Sequence, residues 1–180
     1  MSNAERILQA LDEKLSATVD LTLYGRAALQ LGFEQPAPGF AQSLDIDVVL
    51  WMGQADELLA HSNLWEAVEK VNRELAQNRL YISHFFEENQ VVLTADWRIK
   101  RVPLSGLWEH LKLHRLSDED LFLSKCMRAD PLDLADARYI WQEAGWSEKE
   151  VWDLFRRAQI PAIPEVAAEF ERCKTLLFSC

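Results

Sequence analysis

The spacing of apolar residues in the first half of the chain predicts alternating helices and strands. Leucines and isoleucines recur at helical intervals over residues 4–16, whereas residues 18–23 alternate between polar and apolar in the manner of a strand. The same criteria predict a helix over 27–31, a loop over 33–42, a strand over 45–51, and a helix over about 54–77 that breaks at Ser62-Asn63.

The second half of the chain changes from a strand-like to a helical pattern. Residues 80–104 are rich in aromatic and β-branched residues, which predicts β-structure. Later helix starts are marked by a capping side chain or a proline in the first turn, at Ser117, Asp130-Pro131, Ser147 and Pro164. We therefore predict an α/β fold, with a core over residues 1–116 and a C-terminal helical region over 117–180 packed on it.

Composition and charge narrow the classes of function. Hydrophobic residues make up 49% of the chain and seven residues are tryptophan, which is enough for a substantial core. The net charge of −10 disfavours non-specific binding to DNA or RNA, because phosphate neutralisation supplies most of such affinity. A local basic site or a basic protein partner is still compatible with this charge.

The cysteines and the N-terminus predict a soluble, cytoplasmic protein. Cys126, Cys173 and Cys180 are odd in number and match no metal-ligand spacing, which favours unbridged thiols in a reducing compartment, with Cys126 in the core. The N-terminus shows no signal-peptide pattern. No segment approaches the roughly 18 apolar residues of a membrane span, so we expect no membrane partner.

Two carboxylates at the start of the second predicted strand indicate metal-assisted phosphate chemistry. Asp45 and Asp47 are two residues apart in an otherwise aliphatic run, so they share one face of the strand. Two like charges so close repel each other unless a cation lies between them. Paired carboxylates together with phosphate oxygens make a typical Mg²⁺ site. The alternative, that both aspartates are solvated at a loop junction, is less favoured because an aliphatic strand seldom carries two such residues on one face.

A glycine at the end of the first predicted strand indicates where a phosphate would bind. Gly25 lets the backbone approach a phosphate closely, and the helix that follows offers free N–H groups and a positive dipole end. Each feature is common alone. In this order along the chain, they are moderately specific for nucleotide chemistry.

These motifs resemble the nucleotidyltransferase-like superfamily, and in particular a small bacterial branch that includes toxins of abortive-infection toxin–antitoxin pairs. The resemblance covers residues 20–145. In that family a strand ends in Gly-Gly or Gly-Ser, opens a short helix, and is followed by Thr-x-Asp-hydrophobic-Asp. The matching segments here are Gly25-Arg26-Ala27-Ala28, Ser43-Leu44-Asp45-Ile46-Asp47, the connecting β segment Val92 to Trp97, Asp120 to Lys125, and Asp133-Leu134-Ala135-Asp136.

The resemblance implies a nucleotidyltransferase fold, a mixed sheet flanked by helices, with a C-terminal helical bundle closing one side of the cleft. It also implies roles for individual residues. Asp45 and Asp47 would ligate Mg²⁺, and Gly25 with its neighbours would hold the triphosphate. Ser43 would replace the family threonine and contribute to nucleotide binding. Lys125 would reach towards phosphate or base, with Asp133 and Asp136 in the same cleft.

The chain departs from the family pattern at two places. Arg26 stands where the family has a small residue, and it would either serve the phosphates or mark lost activity. The third carboxylate that usually completes the site has no clear counterpart, and Asp96 is the nearest candidate.

Several of the other charged residues have simple structural interpretations. Lys125 would as readily reach solvent as a ligand, and Asp133 and Asp136 suit the first turns of a helix. We interpret Arg98 and Arg101 as surface charges on a β-hairpin, and the four histidines as ordinary residues.

The first functional hypothesis is a Mg²⁺-dependent nucleotidyltransferase that moves NMP from an NTP to an RNA or protein acceptor. By analogy with the family it would be the toxin of a pair, with an antitoxin protein as partner. The alternative is a catalytically degenerate protein of the same fold that senses nucleotides or binds a protein. A metal-dependent hydrolase is less favoured, because no activating histidine accompanies the aspartates in sequence.

Overall fold

The computed structural model describes residues 1–179, and the chain divides into two compact units. The first unit comprises residues 1–87 and 101–115, and the second comprises residues 88–100 and the chain from Leu116 onwards. This division differs from the predicted one in one longer segment and in Leu116, which lies in the second unit. Residues 88–100, which the sequence places in the α/β core, belong to the second unit.

Helices and strands are interspersed in the first half of the chain. The strands are β1 (Val19–Tyr24), β2 (Asp45–Leu50), β3 (Tyr81–Glu87), β4 (Leu93–Thr94), β5 (Val102–Pro103), β6 (Leu111–Arg115) and β7 (Ala158–Gln159). The α-helices are α1 (Asn3–Asp12), α2 (Gly25–Gly32), α3 (Gln54–His61), α4 (Leu64–Leu75), α5 (Asp118–Lys125), α6 (Pro131–Ala144), α7 (Glu148–Arg157) and α8 (Pro164–Phe178).

A five-stranded mixed sheet organises the first unit, in the spatial order β3–β2–β1–β6–β5. Strand β1 runs antiparallel to β2 and parallel to β6, while β2 and β3 are parallel. Helices α1, α2 and α4 contact strands of this sheet. The aliphatic face that includes Leu21, Leu23, Ile46 and Val48 is buried, and the opposite face carries Asp45 and Asp47. The predicted α/β class is confirmed.

Two parts of the β-structure differ from the prediction. Residues 111–115 are not predicted as a strand from the sequence, yet β6 pairs along the whole of its length with β1. The region 80–104 does not form one continuous β element. Leu93 and Thr94 form β4, which pairs with β7 and not with β3. Both pairings join segments far apart in the chain, so local patterns give little indication of them.

The second unit contains α5 to α8 and the two-stranded sheet of β4 and β7. Its helix starts confirm the prediction, since Ser117, Asp130 and Ser147 each accept a hydrogen bond at an N-cap position, and Pro164 is the first residue of α8. Its core includes Phe122, which is completely buried and packs against other aromatic rings. Within residues 1–179, no helix has the length and apolar character needed to cross a membrane.

Candidate functional site

Asp45 and Asp47 lie at the start of β2, beside the end of β1. The pairing of β1 with β2 places Tyr24 directly opposite Asp47, so the turn from β1 into α2 lies next to this carboxylate. Both aspartates are partly exposed, in contrast to the buried Ile46 and Val48 on the other face of the strand. The two carboxylates therefore share an accessible face of the sheet, as strand alternation predicts.

Strand β3 brings two further side chains to the aspartates through a β-bulge. Ile82 pairs with Ile46, but the next pair is His84 with Asp47, so Ser83 is an extra residue in the ladder. A bulge of this kind bends the strand and redirects a side chain. As a result, Ser83 and His84 both contact the Asp47 carboxylate. The sequence patterns predict neither residue to belong to the site.

The four side chains form one hydrogen-bonded cluster. Ser83 Oγ lies 3.2 Å from Asp45 Oδ2 and 2.9 Å from Asp47 Oδ1, and His84 Nδ1 lies 3.0 Å from Asp47 Oδ1. Because a carboxylate oxygen only accepts, a proton on Nδ1 of His84 is required for its contact with Asp47. The Ser83 hydroxyl has one proton for two carboxylates. The cluster therefore has more acceptors than donors, which favours a cation.

Gly25 connects this cluster to the N-terminus of α2. The residue has a φ of +70°, and a β-carbon there would lie 3.1 Å from Asp47 Oδ2. Any other residue would be both strained in the backbone and crowded against the carboxylate. The first turn of α2 contains no acidic residue, and its N-cap Tyr24 makes no capping hydrogen bond through its side chain. The backbone N–H groups at this helix end are thus suited to a phosphate.

Ser43 and Arg26, both predicted to bind the nucleotide, lie in the first unit. The Ser43 hydroxyl lies 3.3 Å from Asp45 Oδ1, so Ser43 is the third side chain, after Ser83 and His84, to contact the aspartate pair. The Arg26 guanidinium lies 5.4 Å from the centre of the buried Phe40 ring, in a cation–π contact. This contact directs the Arg26 charge towards the loop between α2 and β2.

A second polar cluster occupies the same face of the sheet, about 13 Å away along β1. Arg101 Nη1 donates to Asp20 Oδ1 at 2.8 Å and to Thr22 Oγ1 at 3.0 Å, and His114 Nδ1 lies 3.2 Å from Asp20 Oδ1. Burial lowers the pKa of His114, although the Asp20 carboxylate opposes this shift. The interpretation of Arg101 as a surface charge is wrong, since only 13% of its side chain is exposed.

Three further predicted site residues, together with Asp133, lie in the second unit. Lys125 Nζ lies 2.9 Å from Asp133 Oδ1 and 2.9 Å from Asp136 Oδ2, with all three side chains buried. The alternative in which Lys125 reaches solvent is therefore wrong. Asp96 lies in a turn after β4 and pairs with Lys100 at 2.9 Å, and the hydrogen bond from Lys100 lowers the pKa of Asp96.

The cysteines behave as core residues where the structure describes them. Cys126 and Cys173 are buried and unbridged, and burial raises the pKa of the Cys126 thiol well above its ordinary value. A thiol of this kind is a poor nucleophile. Cys180 lies outside the described residues.

The donor set at Asp45 and Asp47 fits Mg²⁺ bound jointly with a phosphate. Mg²⁺ is usually held by one or two carboxylates, with water and substrate phosphates completing its octahedron. Within residues 1–179, no group of three histidine, cysteine, aspartate or glutamate side chains is arranged to hold a metal ion. The two aspartates beside the α2 N-terminus therefore suit a cation that arrives with a nucleotide, and not one caged by the protein alone.

Comparisons of the chain with family models, with curated proteins and with solved structures gave no match. The resemblance to nucleotidyltransferases remains a prediction based on the motifs given above.

Proposed function

We propose that this chain is a Mg²⁺-dependent nucleotidyltransferase of the nucleotidyltransferase fold. The observation that carries the proposal is the placement of Asp45 and Asp47 on an accessible face of β2, with Gly25 and the N-terminus of α2 against the Asp47 carboxylate. Carboxylates for a metal and backbone N–H groups for a phosphate are the two parts that transfer of a nucleotide requires.

Each part has a defined role in the proposed reaction. The N–H groups that follow Gly25 bind the triphosphate, and Asp45 and Asp47 would hold Mg²⁺. The metal would stabilise charge on the attacking and leaving oxygens. Ser43, Ser83 and His84 orient the carboxylates through their hydrogen bonds. An acceptor hydroxyl attacks the α-phosphorus, its proton passes to solvent, and the bond from the α-phosphorus to the bridging oxygen breaks as pyrophosphate leaves.

The acceptor and the biological setting follow from the resemblance. We propose an RNA end or a protein hydroxyl as acceptor, and the toxin half of a cytoplasmic toxin–antitoxin pair as the setting, with an antitoxin protein as partner. The proposed roles of Lys125 and Asp136 towards the nucleotide, and of Asp96 as third carboxylate, rest on the same resemblance. Each of these residues already has an ion-pair partner within the second unit.

A second candidate function is nucleotide sensing or protein binding by a catalytically inactive site. Two observations favour it. The strand next to the aspartates presents Ser83 and His84 to them, and neither residue supplies a third carboxylate. Arg26 packs on Phe40 at the position where the family has a small residue.

A transfer assay separates the two functions. Purified protein is incubated with Mg²⁺ and α-labelled NTPs, with RNA and with a protein extract as acceptors. An active transferase attaches label to one acceptor class, and Asp45→Asn abolishes the labelling. Asp56→Asn, an exposed aspartate on α3, serves as the matched control and retains it. Mg²⁺-dependent binding of nucleotide without labelling of any acceptor would favour the inactive alternative.

The toxin assignment has its own test. Expression of the native chain should arrest growth of a bacterial host, and Asp45→Asn should relieve the arrest at equal protein level. Normal growth with soluble native protein would remove the toxin assignment, without bearing on nucleotide transfer.

A further inference from the structure

Aromatic rings flank Asp47 on both neighbouring strands. Tyr24 pairs with Asp47 from β1, and His84 pairs with it from β3. Phe86 lies two residues beyond His84, and its ring is stacked on the His84 ring, with centroids 5.1 Å apart and an interplanar angle of 25°. The Tyr24 ring meets Phe86 edge-on at 5.9 Å. We call Tyr24, His84 and Phe86 the aromatic platform.

The His84 ring is an unusual member of this platform because it is both fixed and exposed. Its Nδ1 atom is held by Asp47 Oδ1 at 3.0 Å, and one of its faces is held by Phe86. Nevertheless, 59% of the side chain is exposed. The ring is therefore held at a set orientation while much of it is open to solvent.

The geometry points to a nucleobase as the ligand of this outer face, and this inference rests on the proposed function. The Asp47 carboxylate lies between the proposed phosphate site and the platform. Its Oδ2 atom faces Gly25 and the start of α2, while its Oδ1 atom faces His84. A triphosphate bound at Gly25 would therefore lie on one side of the Asp47 carboxylate, with the platform on its other side. A nucleotide joins its phosphates to a planar base through a ribose, so one molecule can occupy both places.

Stacking of a base on the platform would contribute to nucleotide binding, to which the net charge of the chain does not contribute. The chain is acidic, with a net charge of −10, so long-range attraction for a polyanion is weak. Stacking of a base on an aromatic ring does not depend on charge and contributes about 5- to 150-fold in affinity per base. Affinity for a nucleotide should therefore exceed that for the same phosphates without a base.

Calorimetric titration with Mg²⁺ and either ATP or tripolyphosphate tests the inference. His84→Asn keeps a nitrogen donor near Asp47 but removes the ring, whereas His84→Phe keeps the ring and removes the donor. We expect His84→Asn to weaken ATP binding by about 5- to 150-fold with tripolyphosphate binding unchanged. His84→Phe should retain the preference for ATP. His61→Asn, the same change at an exposed histidine on α3, should alter neither affinity.

The possible outcomes separate the inference from the function it rests on. Equal affinity of the native protein for ATP and tripolyphosphate would overturn the platform and leave the phosphate site standing. The platform is likewise overturned if His84→Asn weakens binding of both ligands equally, because His84 would then act only through Asp47. If the folded native protein binds neither tripolyphosphate nor any NTP, the proposed function itself is rejected.

Discussion

The Lys125 side chain places an amine in the interior of the second unit, and the residues that contact this amine are carboxylates that can neutralise its charge. It begins in the last turn of α5, and its amine lies between two carboxylates of α6. Burial of a charge is costly unless it is paired and hydrogen-bonded. The pairing of Lys125 with Asp133 and Asp136 explains why all three residues are tolerated at buried positions.

Replacement of Lys125 by Met should therefore destabilise the protein strongly. The two carboxylates would lose the ammonium group that neutralises them, and removal of one partner from a buried ion pair costs about 3–5 kcal/mol. Urea denaturation followed by tryptophan fluorescence measures the change. Lys149→Met, at an exposed position of α7, should stay within about 0.5 kcal/mol of the native value. A loss below about 1 kcal/mol for Lys125→Met would contradict the assigned ion pairs.

The same cluster predicts a pH dependence of stability. Burial of the Asp133 carboxyl opposes its ionisation, but Lys125 and Arg128 outweigh burial and lower the pKa of Asp133 below its ordinary value. A carboxyl whose folded pKa is depressed stabilises the fold above its unfolded pKa, and this stability is lost as the pH falls through the folded pKa. Ionised Asp133 should therefore stabilise the protein at neutral pH.

Comparison of native protein with Asp133→Asn isolates this contribution. The difference in unfolding free energy should be constant near neutral pH and should begin to shrink below about pH 4, as Asp133 takes up its proton. Denaturation curves measured at a series of pH values provide the test. A difference that stays constant to about pH 3, or that widens on acidification, would show that Asp133 is not a stabilising carboxylate.

At the scale of elements, the bulge in β3 determines the composition of the candidate site. The extra residue Ser83 allows both Ser83 and His84 to face the aspartates of β2. On either side of the bulge, Ile82 pairs with Ile46 and Phe85 with Val48. The residues outside the bulge therefore still point to the same face of the sheet as their partners in β2. The bulge therefore affects the site and leaves the core pattern intact.

Deletion of Ser83 should accordingly be tolerated by the fold. Without it, Ile82 and His84 become neighbours that still pair with Ile46 and Asp47, so no core side chain changes face. We expect a loss in unfolding free energy below about 2 kcal/mol, together with weaker nucleotide binding. Deletion of Ile82 is the matched control. It shortens β3 by one residue in the same way, but it leaves Ser83 in place of the buried Ile82 opposite Ile46, so it should cost about 2–5 kcal/mol. Equal losses in unfolding free energy for both deletions would contradict the described register.

The sequence predicts well those features that depend on neighbouring residues. It predicts less well the features that depend on pairing between strands far apart in the chain. The placement of Asp45, Asp47 and Gly25 follows from strand alternation and from the special backbone of glycine. Ser83 and His84 could not be found in this way, because a bulge is a property of two paired strands. Strand β6 does alternate, with Leu111 and Leu113 buried, but its run is short and its partner β1 lies much earlier in the chain.

Ion pairs between residues on different elements are likewise not predictable from local sequence patterns. Arg101 and Asp20 are 81 residues apart in the chain, so a β-hairpin with surface charges is a reasonable but incorrect expectation for Arg101. Lys125 and Asp133 lie on successive helices. Their contact depends on how α5 packs against α6, which helix periodicity alone does not determine.

For the whole molecule, the negative charge makes nucleotide binding depend on a divalent cation. A chain of net charge −10 has little attraction for a free nucleoside triphosphate. Asp45 and Asp47 add local repulsion at the place where the phosphates are proposed to bind. Binding of a nucleotide there requires a cation that joins the two sets of negative oxygens, so affinity should depend on both aspartates and on Mg²⁺.

The most direct test is a calorimetric titration of each NTP into native protein and into Asp45→Asn/Asp47→Asn, with Mg²⁺ and with EDTA. Circular dichroism and urea denaturation first establish that the variant is folded. Binding of an NTP to the native protein should require Mg²⁺ and should disappear in the variant. Absence of binding of every NTP to the folded native protein, or equal binding by the variant, would contradict a nucleotide site at these aspartates.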